Sequence, residues 1–234
     1  MAIGASTVIS QGIEPNASEP NDSRYWQQWH IENKNNADVD AVTAWHMLEN
    51  VPQQEVIVAV IDTAMDTGHN DLRNQLWVNS GEIAANGIDD DGNGLIDDVH
   101  GYDFRNDEGS TFDGIMTHAT PIAGIIAAQT NNNYASSGVV GNMPIKIMTL
   151  QMINITEILG DNAIKSRIRN AALLAQSTLS GLEYAIENGA KVVNMSLNLA
   201  KSAEVLRLDA GETAADVGAE YVATAIAWLA APAG

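Results

Sequence analysis

The sequence predicts an α/β fold, a three-layer, doubly wound arrangement in which helices cover both faces of a mostly parallel sheet. Residues 55–62 and 191–197 are apolar, β-branched runs, which are typical of buried central strands in parallel sheets. Segments with helical spacing lie between the apolar runs. Because an alternation of strands and helices produces a parallel sheet, these observations together favour this fold class.

The predicted elements follow in order along the chain. They are a helix 40–48, a strand 55–62, a helix 118–128, a strand 145–152, helices 161–175 and 179–188, and a strand 191–197. Pro121 falls in the first turn of its helix, where a proline removes no intrahelical hydrogen bond. Gly189 is expected just after the end of a helix. The Ala-rich residues 202–234 fit a helix, or a helix and a short strand.

Two regions stand apart from this alternation. Residues 1–24 are rich in Ser, Asn, Gly, Glu and Pro and predict a flexible lead-in to an α/β domain over 25–234. Within that domain, residues 78–114 form a Gly, Asp and Asn-rich insertion. A connection of that length is expected to be functional.

Composition narrows the classes of function. A chain of 234 residues, 45% hydrophobic, is long enough to bury a full core. Cysteine is absent, which excludes disulfides, thiolate metal sites and a cysteine nucleophile. The net charge of −19 argues against nucleic acid and anionic membranes as partners. Between Asp38 and Asp113 the only basic residues are Arg73 and Arg105, so this acidic region either faces water or collects cations.

Targeting signals are weak. No apolar run reaches transmembrane length, and the first residues lack the basic segment of a signal peptide. The expectation is either a cytoplasmic protein or a targeting segment that lies outside this sequence.

Asp62 and His118 are the first candidates for chemistry. Asp62 ends a predicted parallel strand, which is where α/β proteins place their sites, and His118 begins the next predicted helix. An Asp beside a His can orient the imidazole as a general base. Each residue alone also fits a structural role, Asp62 as a turn cap and His118 as a helix N-terminal residue.

Three segments carry a family resemblance. Residues 58–64, 118–124 and 189–197 read VAVIDTA, HATPIAG and GAKVVNMSL. They resemble, in order, the catalytic Asp motif, the catalytic His motif and the cleft-lining strand of the subtilisin-like serine proteases, the subtilase family. The resemblance covers roughly residues 22–200.

This resemblance implies a subtilisin-like fold and peptide-bond hydrolysis through an acyl-enzyme. Asp62 would orient His118, and His118 would take the proton from a serine hydroxyl. Ser196, Leu197 and Asn198 would line the cleft that holds a peptide or protein substrate. The resemblance also implies an extracellular or periplasmic location, with the cytoplasm as the alternative.

The sequence departs from the family where the nucleophile is expected. The family's Gly-Thr-Ser-Met-Ala motif does not occur, and Ala227 stands where spacing places the oxyanion asparagine. Ala64, Ala119 and Pro121 replace two glycines and a histidine of the family's motifs. The chain alone is therefore expected to be inactive. It is either the N-terminal portion of a longer protease, lacking the C-terminal part of the full domain, or a degenerate relative.

The acidic insertion contains a calcium-loop pattern. Asp89, Asp91 and Asn93 occupy alternate positions, and Gly94 follows at the place where an EF-hand loop turns sharply. His100 replaces the usual final Glu, so a neighbouring Asp is expected to substitute for it. The candidate Ca²⁺ ligands are Asp89, Asp91, Asn93, Leu95, Asp97 and Asp98. The alternative is a solvated acidic turn.

By the same resemblance, residues 131–133 are candidates for a second calcium site, or else form an ordinary polar loop. Two further functions stay open. One is a calcium-stabilised pseudoprotease that holds peptides without cleaving them. The other is a metal-dependent hydrolase that uses Asp62 and His118 as ligands, with His69 as the third.

Overall fold

A computed structural model describes residues 19–109, 118–152 and 164–196. Within these ranges, a short 3-10 helix at Tyr25–Gln27 precedes three α-helices and four β-strands. In chain order these are α1 (Ala41–Leu48), β1 (Val56–Asp62), β2 (Gly101–Asp103), α2 (Ala119–Ala127), β3 (Ile145–Gln151), α3 (Ile164–Glu187) and β4 (Val192–Asn194).

The four strands form one sheet in the order β2-β3-β1-β4, and every pairing is parallel. The central strand β1 pairs with β3 along its whole length, from Val56 to Asp62. Five consecutive residues of β1, from Val58 to Asp62, are buried. The parallel α/β prediction is confirmed, and the apolar run of β1 is explained by its neighbours on both sides.

Helices cover both faces of this sheet. Side chains alternate along a strand, so Val58 and Val60 point to one face while Ala59 and Ile61 point to the other. The first face packs on small side chains of α2: Ala119, Ala123 and Ala127. The second packs on α3, through residues that include Leu182 and Ala185. The result is the predicted three-layer arrangement.

One continuous helix, α3, replaces the two helices predicted over 161–175 and 179–188. The polar residues at the expected break are satisfied inside the helix. Ser177 Oγ donates to the Leu173 carbonyl at 2.8 Å, and Thr178 Oγ1 donates to the Leu174 carbonyl at 2.7 Å. Because hydroxyls that bond to the carbonyl four residues earlier are compatible with a helix, these residues do not interrupt it.

Two strands differ from the prediction. The strand expected over 191–197 is shorter, and β2 was not expected at all. Residues 1–18 and 202–234 lie outside the described residues. At the end of the predicted flexible lead-in, Asp22 is only 4% exposed, and its carboxylate accepts the Asn131 N–H at 2.9 Å. Within the described ranges, no helix combines the length and apolarity needed to cross a membrane.

Candidate active site and acidic loop

Asp62 is placed by the strand that precedes it. It is the last residue of β1, and it shares a face with Val58 and Val60, the face that α2 covers. His118 directly precedes α2, so the fold brings the start of this helix to the carboxyl end of the strand. The side chain of Asp62 is 0% exposed, while that of His118 is 50% exposed.

The two side chains form a direct hydrogen bond. His118 Nδ1 lies 2.8 Å from Asp62 Oδ1, and the Thr63 backbone N–H donates to the same oxygen at 2.6 Å. A carboxylate only accepts hydrogen bonds, so Nδ1 is the donor in this pair, and in the neutral imidazole Nε2 is then the nitrogen with the free lone pair. The half-exposed ring can therefore take up a proton at Nε2, as a general base must.

Backbone contacts hold the two elements together around this pair. The Ala119 N–H donates to Thr63 Oγ1 at 3.3 Å, and the Asp66 N–H donates to Thr120 Oγ1 at 2.9 Å. These contacts tie the segment after β1 to the first turn of α2. The imidazole is thus positioned by both of its neighbouring elements.

The expected cleft residues are only partly described. Ser196 lies two residues beyond β4, is exposed, and accepts a hydrogen bond from Asn194 Nδ2 at 3.1 Å. Leu197, Asn198 and Ala227 lie outside the described residues. Their roles stay predictions.

In the acidic loop, Asp89 shapes the turn. Its carboxylate accepts the backbone N–H groups of Gly92 at 2.7 Å, Asn93 at 3.1 Å and Gly94 at 2.9 Å. Gly94 has a φ of 93°, in the region that favours glycine. The loop therefore adopts a tight turn around the first aspartate of the predicted pattern.

Three carboxylates converge beside this turn. One oxygen each of Glu82, Asp91 and Asp98 lies within 4.8 Å of the others. Asp98 is fully buried, and the Asn79 side-chain amide donates to Asp91 at 2.9 Å and to Asp98 at 3.1 Å. Carboxylate oxygens are the ligands that hard divalent cations prefer, and a cation would also offset the repulsion among three carboxylates this close.

The sequence pattern identified only part of this group. Asp91 and Asp98 belong to it, whereas both Asp97 oxygens accept backbone N–H groups, from Asn86 and Gly87, at 3.0 Å. Asn93 reaches the group through its Nδ2, which donates to Asp98 at 3.0 Å. Of the remaining candidates, Asp89 shapes the turn, and the side chain of Leu95 packs against the core cluster under α3. His100, at the place of the usual final Glu, has its Nδ1 2.8 Å from the Trp77 carbonyl oxygen.

Glu82 was missed because it precedes the loop pattern in the sequence. It sits seven positions before Asp89, outside the twelve-residue loop that the spacing rule describes. The fold returns it to the loop, where its carboxylate accepts the N–H groups of Asp90 at 2.8 Å and Asp97 at 3.1 Å. The only hint in the sequence was the general excess of acid in this region.

Comparison with known sequences decides the family. The sequence profile of the family described as the subtilase family matches residues 53–230, most of the chain. This chain belongs to the subtilase family. The match includes Asp62 and His118, so the observed hydrogen-bonded pair lies within the family's domain.

Several proteases are similar to this subtilase. Subtilisin-like protease 1 of Plasmodium vivax is 42% identical over 91 residues, which is 38% of this chain and 14% of that protein. The thermophilic serine proteinase of Bacillus sp. (strain AK1) is 30% identical over 189 residues, 79% of this chain and 36% of that protein. The cell wall-associated protease of Bacillus subtilis (strain 168) is 28% identical over 195 residues, 81% of this chain and 18% of that protein.

The subtilase chain thus spans between 14% and 36% of the length of these curated relatives. Among solved structures, a protease of Pseudoalteromonas arctica PAMC 21717 is similar at 23% identity, with a TM-score of 0.46. That match covers 77% of this chain and 51% of that chain.

Among residues 19–109, 118–152 and 164–196, no third His, Asp or Glu joins the Asp–His pair of the subtilase at metal-binding spacing. In the part of the chain that the structure describes, the one group of three or more His, Asp or Glu residues with metal-binding spacing is Glu82, Asp91 and Asp98. His69 is not brought to Asp62 and His118. Instead, its Nδ1 accepts the Asp71 N–H at 3.2 Å. The reading as a metal-dependent hydrolase is therefore not supported by the described residues.

The polar loop at 131–133 is held by protein groups. Asp71 Oδ1 accepts a hydrogen bond from Asn132 Nδ2 at 2.7 Å, and Asn21 Oδ1 accepts the Asn133 N–H at 2.9 Å. Asn131 and Asn133 both have positive φ, which asparagine tolerates better than most residues. The expectation of a second calcium site here stays a prediction.

Tyr184 connects the acidic loop of the subtilase to α3. Its hydroxyl donates to Asp98 Oδ2 at 2.6 Å, and burial together with this hydrogen bond raises the pKa of Tyr184 well above its ordinary range. Burial likewise raises the pKa of Tyr25 and Tyr102, with help from Glu32 and Asp107 respectively. The protonated phenols are thus favoured by the folded state.

This leads to a prediction about alkaline pH. A raised pKa means that the folded state binds the phenolic proton more tightly than the unfolded state, so the contribution to stability is complete below about pH 10 and is lost as the pH rises further. We expect the melting temperature to fall above pH 10. We also expect tyrosinate absorbance to appear together with unfolding. In Tyr184→Phe the fall should be shallower, and an unchanged slope in this variant would contradict the assignment to Tyr184.

Proposed function

We propose that this chain is a calcium-binding subtilase domain in which Asp62 and His118 form the base for hydrolysis of peptide bonds in peptides or proteins. The observation that carries the proposal is the 2.8 Å hydrogen bond between a fully buried carboxylate and a half-exposed imidazole. That arrangement leaves Nε2 free to activate a hydroxyl nucleophile and later to protonate the leaving amine.

We also propose that the chain alone does not hydrolyse peptides. Its 234 residues contain no Gly-Thr-Ser-Met-Ala segment, and Ala227 has no side-chain donor for an oxyanion. The base without a nucleophile cannot form the acyl-enzyme, and losing one oxyanion donor by itself costs on the order of 10²–10³ in rate.

Ca²⁺ is the proposed cofactor, and its role is structural. Oxygen ligands in a flexible loop suit Ca²⁺, and carboxylates of Glu82, Asp91 and Asp98 supply them. These residues fit the ion because they place three negative charges within a few ångströms, one of them fully buried at Asp98. A bound divalent cation would neutralise this repulsion and hold the acidic loop against α3.

A calcium-dependent domain is best suited to an extracellular or periplasmic setting, and this is the location that we propose. Sites in extracellular modules bind Ca²⁺ at concentrations of about 10⁻⁴–10⁻³ M. The acidic composition, with a net charge of −19, is compatible with such a setting.

A serine-directed fluorophosphonate probe tests the catalytic proposal. We expect no labelling of the purified chain above that of a His118→Ala variant, because no serine is aligned with the imidazole. A complete subtilase treated in parallel is the positive control. Labelling of the chain that disappears in His118→Ala would show that a serine within these residues is activated, and would contradict the proposed inactivity.

A second candidate function is peptide binding without turnover. It is favoured by the combination of an intact Asp62–His118 pair with a missing nucleophile motif. Titration calorimetry with unstructured peptides, followed by mass spectrometry of the same samples, distinguishes the two. Saturable binding with intact peptide supports the binding module, whereas cleaved peptide supports a protease.

A further inference from the structure

Four buried polar atoms beside the Asp62–His118 pair have no hydrogen-bond partner among the described residues. They are Asp62 Oδ2, Thr149 Oγ1, Gln151 Nε2 and Gln151 Oε1, and all three residues are 0% exposed. A buried polar atom without a partner loses its hydration and gains nothing in return. Native proteins pair most such atoms, so four of them in one place call for an explanation.

The sheet places these residues side by side. Asp62 and Gln151 are register partners in the parallel pairing of β1 with β3. Side chains at partner positions of neighbouring strands point to the same face, and Thr149, two residues before Gln151, shares that face. The three side chains therefore occupy one patch at the carboxyl end of the sheet, on the side that α2 covers.

The four atoms are complementary in their chemistry. A carboxylate oxygen only accepts, a glutamine amide offers both an N–H donor and a carbonyl acceptor, and a threonine hydroxyl can donate. One bond from Gln151 Nε2 to Asp62 Oδ2, and one from Thr149 Oγ1 to Gln151 Oε1, would pair all four atoms. The terminal torsion of glutamine is broad, so turning the amide toward Asp62 costs little.

We propose that Gln151 is a positioning residue of the active site, whose amide donates to Asp62 Oδ2. Asp62 Oδ1 already accepts from Thr63 and from His118. A donor on the second oxygen fixes the plane of the carboxylate, and this keeps Oδ1 directed at Nδ1 of the imidazole. Thr149 in turn orients the amide of Gln151.

The inference rests on the proposed role of Asp62 and His118. Its test measures hydrogen bonding and stability in this chain and does not measure peptide cleavage. A failure of the positioning role therefore leaves the proposed protease function standing, and the absence of protease activity leaves the positioning role testable.

The decisive variant is Gln151→Met, which keeps the size of the side chain and removes both polar atoms. If the amide donates to Asp62, this change lowers the melting temperature, by roughly 2 to 8 °C. In an Asp62→Ala background the amide N–H has already lost its acceptor, so the same change removes only the bond from Thr149 and an unpaired N–H, and the fall in melting temperature should be much smaller. An equal fall in both backgrounds overturns the proposal, because Gln151 would then act independently of Asp62.

A second measurement reports on His118 directly. Proton NMR detects the Nδ1–H of an imidazole bonded to a carboxylate as a downfield resonance, and we expect Gln151→Met to move it upfield and to speed its exchange with water. Gln75→Met, the same change at a partly buried position outside the patch, should leave it unaltered. If Gln151→Met does not fold, Thr149→Val replaces it, with a smaller shift in the same direction expected. An unmoved resonance overturns the proposal.

Discussion

Removing Ca²⁺ with a chelator is expected to lower the melting temperature of this protein by roughly 5 to 11 °C. An ion held at about 100 times its dissociation constant stabilises the folded state by about 2.7 kcal/mol, which corresponds to a shift of that size in a protein of this length. The physical cause is the repulsion within the group formed by Glu82, Asp91 and Asp98, which returns when the ion leaves. Scanning calorimetry with and without chelator measures the shift.

Two neighbouring aspartates provide the control. Asp91 belongs to the converging group, whereas the carboxylate of Asp90 accepts the Ile83 N–H at 3.1 Å and lies outside it. Asp91→Asn should remove most of the calcium dependence, and Asp90→Asn, with the same change of charge, should retain it. Equal losses in the two variants would show that the loop attracts cations only through its overall charge. Melting that is insensitive to Ca²⁺ would refute the calcium proposal.

Gly101→Ala is expected to destabilise the protein by about 4 kcal/mol or more, which is exceptional for the addition of one methyl group. Gly101 begins β2 with a φ of 126°, and a Cβ at this position would lie 1.8 Å from the Thr149 carbonyl oxygen of β3. Since the obstacle is backbone inside the sheet, the two strands must separate. That separation would expose Tyr102, which is 3% exposed in the folded protein. Denaturant unfolding measures the loss.

Gly189→Ala separates the two causes of this effect. Gly189 also has a positive φ, of 79°, but a Cβ there would meet no atom within 4 Å. Its replacement should cost only the backbone penalty of about 1–2 kcal/mol. A loss in Gly101→Ala no larger than that in Gly189→Ala would mean that β2 is not held tightly against β3.

Local sequence was sufficient to predict the centre of the fold. Residues of β1 are apolar and β-branched because both neighbouring strands and both helical layers bury them, and such burial can be recognised in the sequence as a continuous apolar run. The strand β2 has no such run. It is three residues long, begins with glycine, and exists because β3 is available to pair with it. Pairing of that kind is a property of the tertiary structure.

The same distinction applies to the sites. Asp62 and His118 were predictable because each stands at the end of a recognisable element, and the structure brings them to 2.8 Å. Glu82 precedes the loop pattern and is brought beside Asp91 and Asp98 only by the fold, so a rule based on residue spacing does not identify it. Gln151 lies beside Asp62 because the two residues are register partners in the pairing of β1 with β3. The register between strands that are distant in sequence cannot be predicted from the sequence of either strand alone.

The position of β1 also has a consequence for the order of folding. It lies between β3 and β4, both of which follow it at long distances in the chain, and α2 must cover it before Asp62 is enclosed. Contacts between segments far apart in sequence require large loops to close, which makes folding slow. The Asp62–His118 contact closes a loop of 56 residues, which is shorter than the loops closed when Val56 pairs with Ile145 and Val58 pairs with Val192. Its closure therefore costs less entropy than either pairing of β1, and we expect the contact between β1 and the start of α2 to form no later than the full sheet.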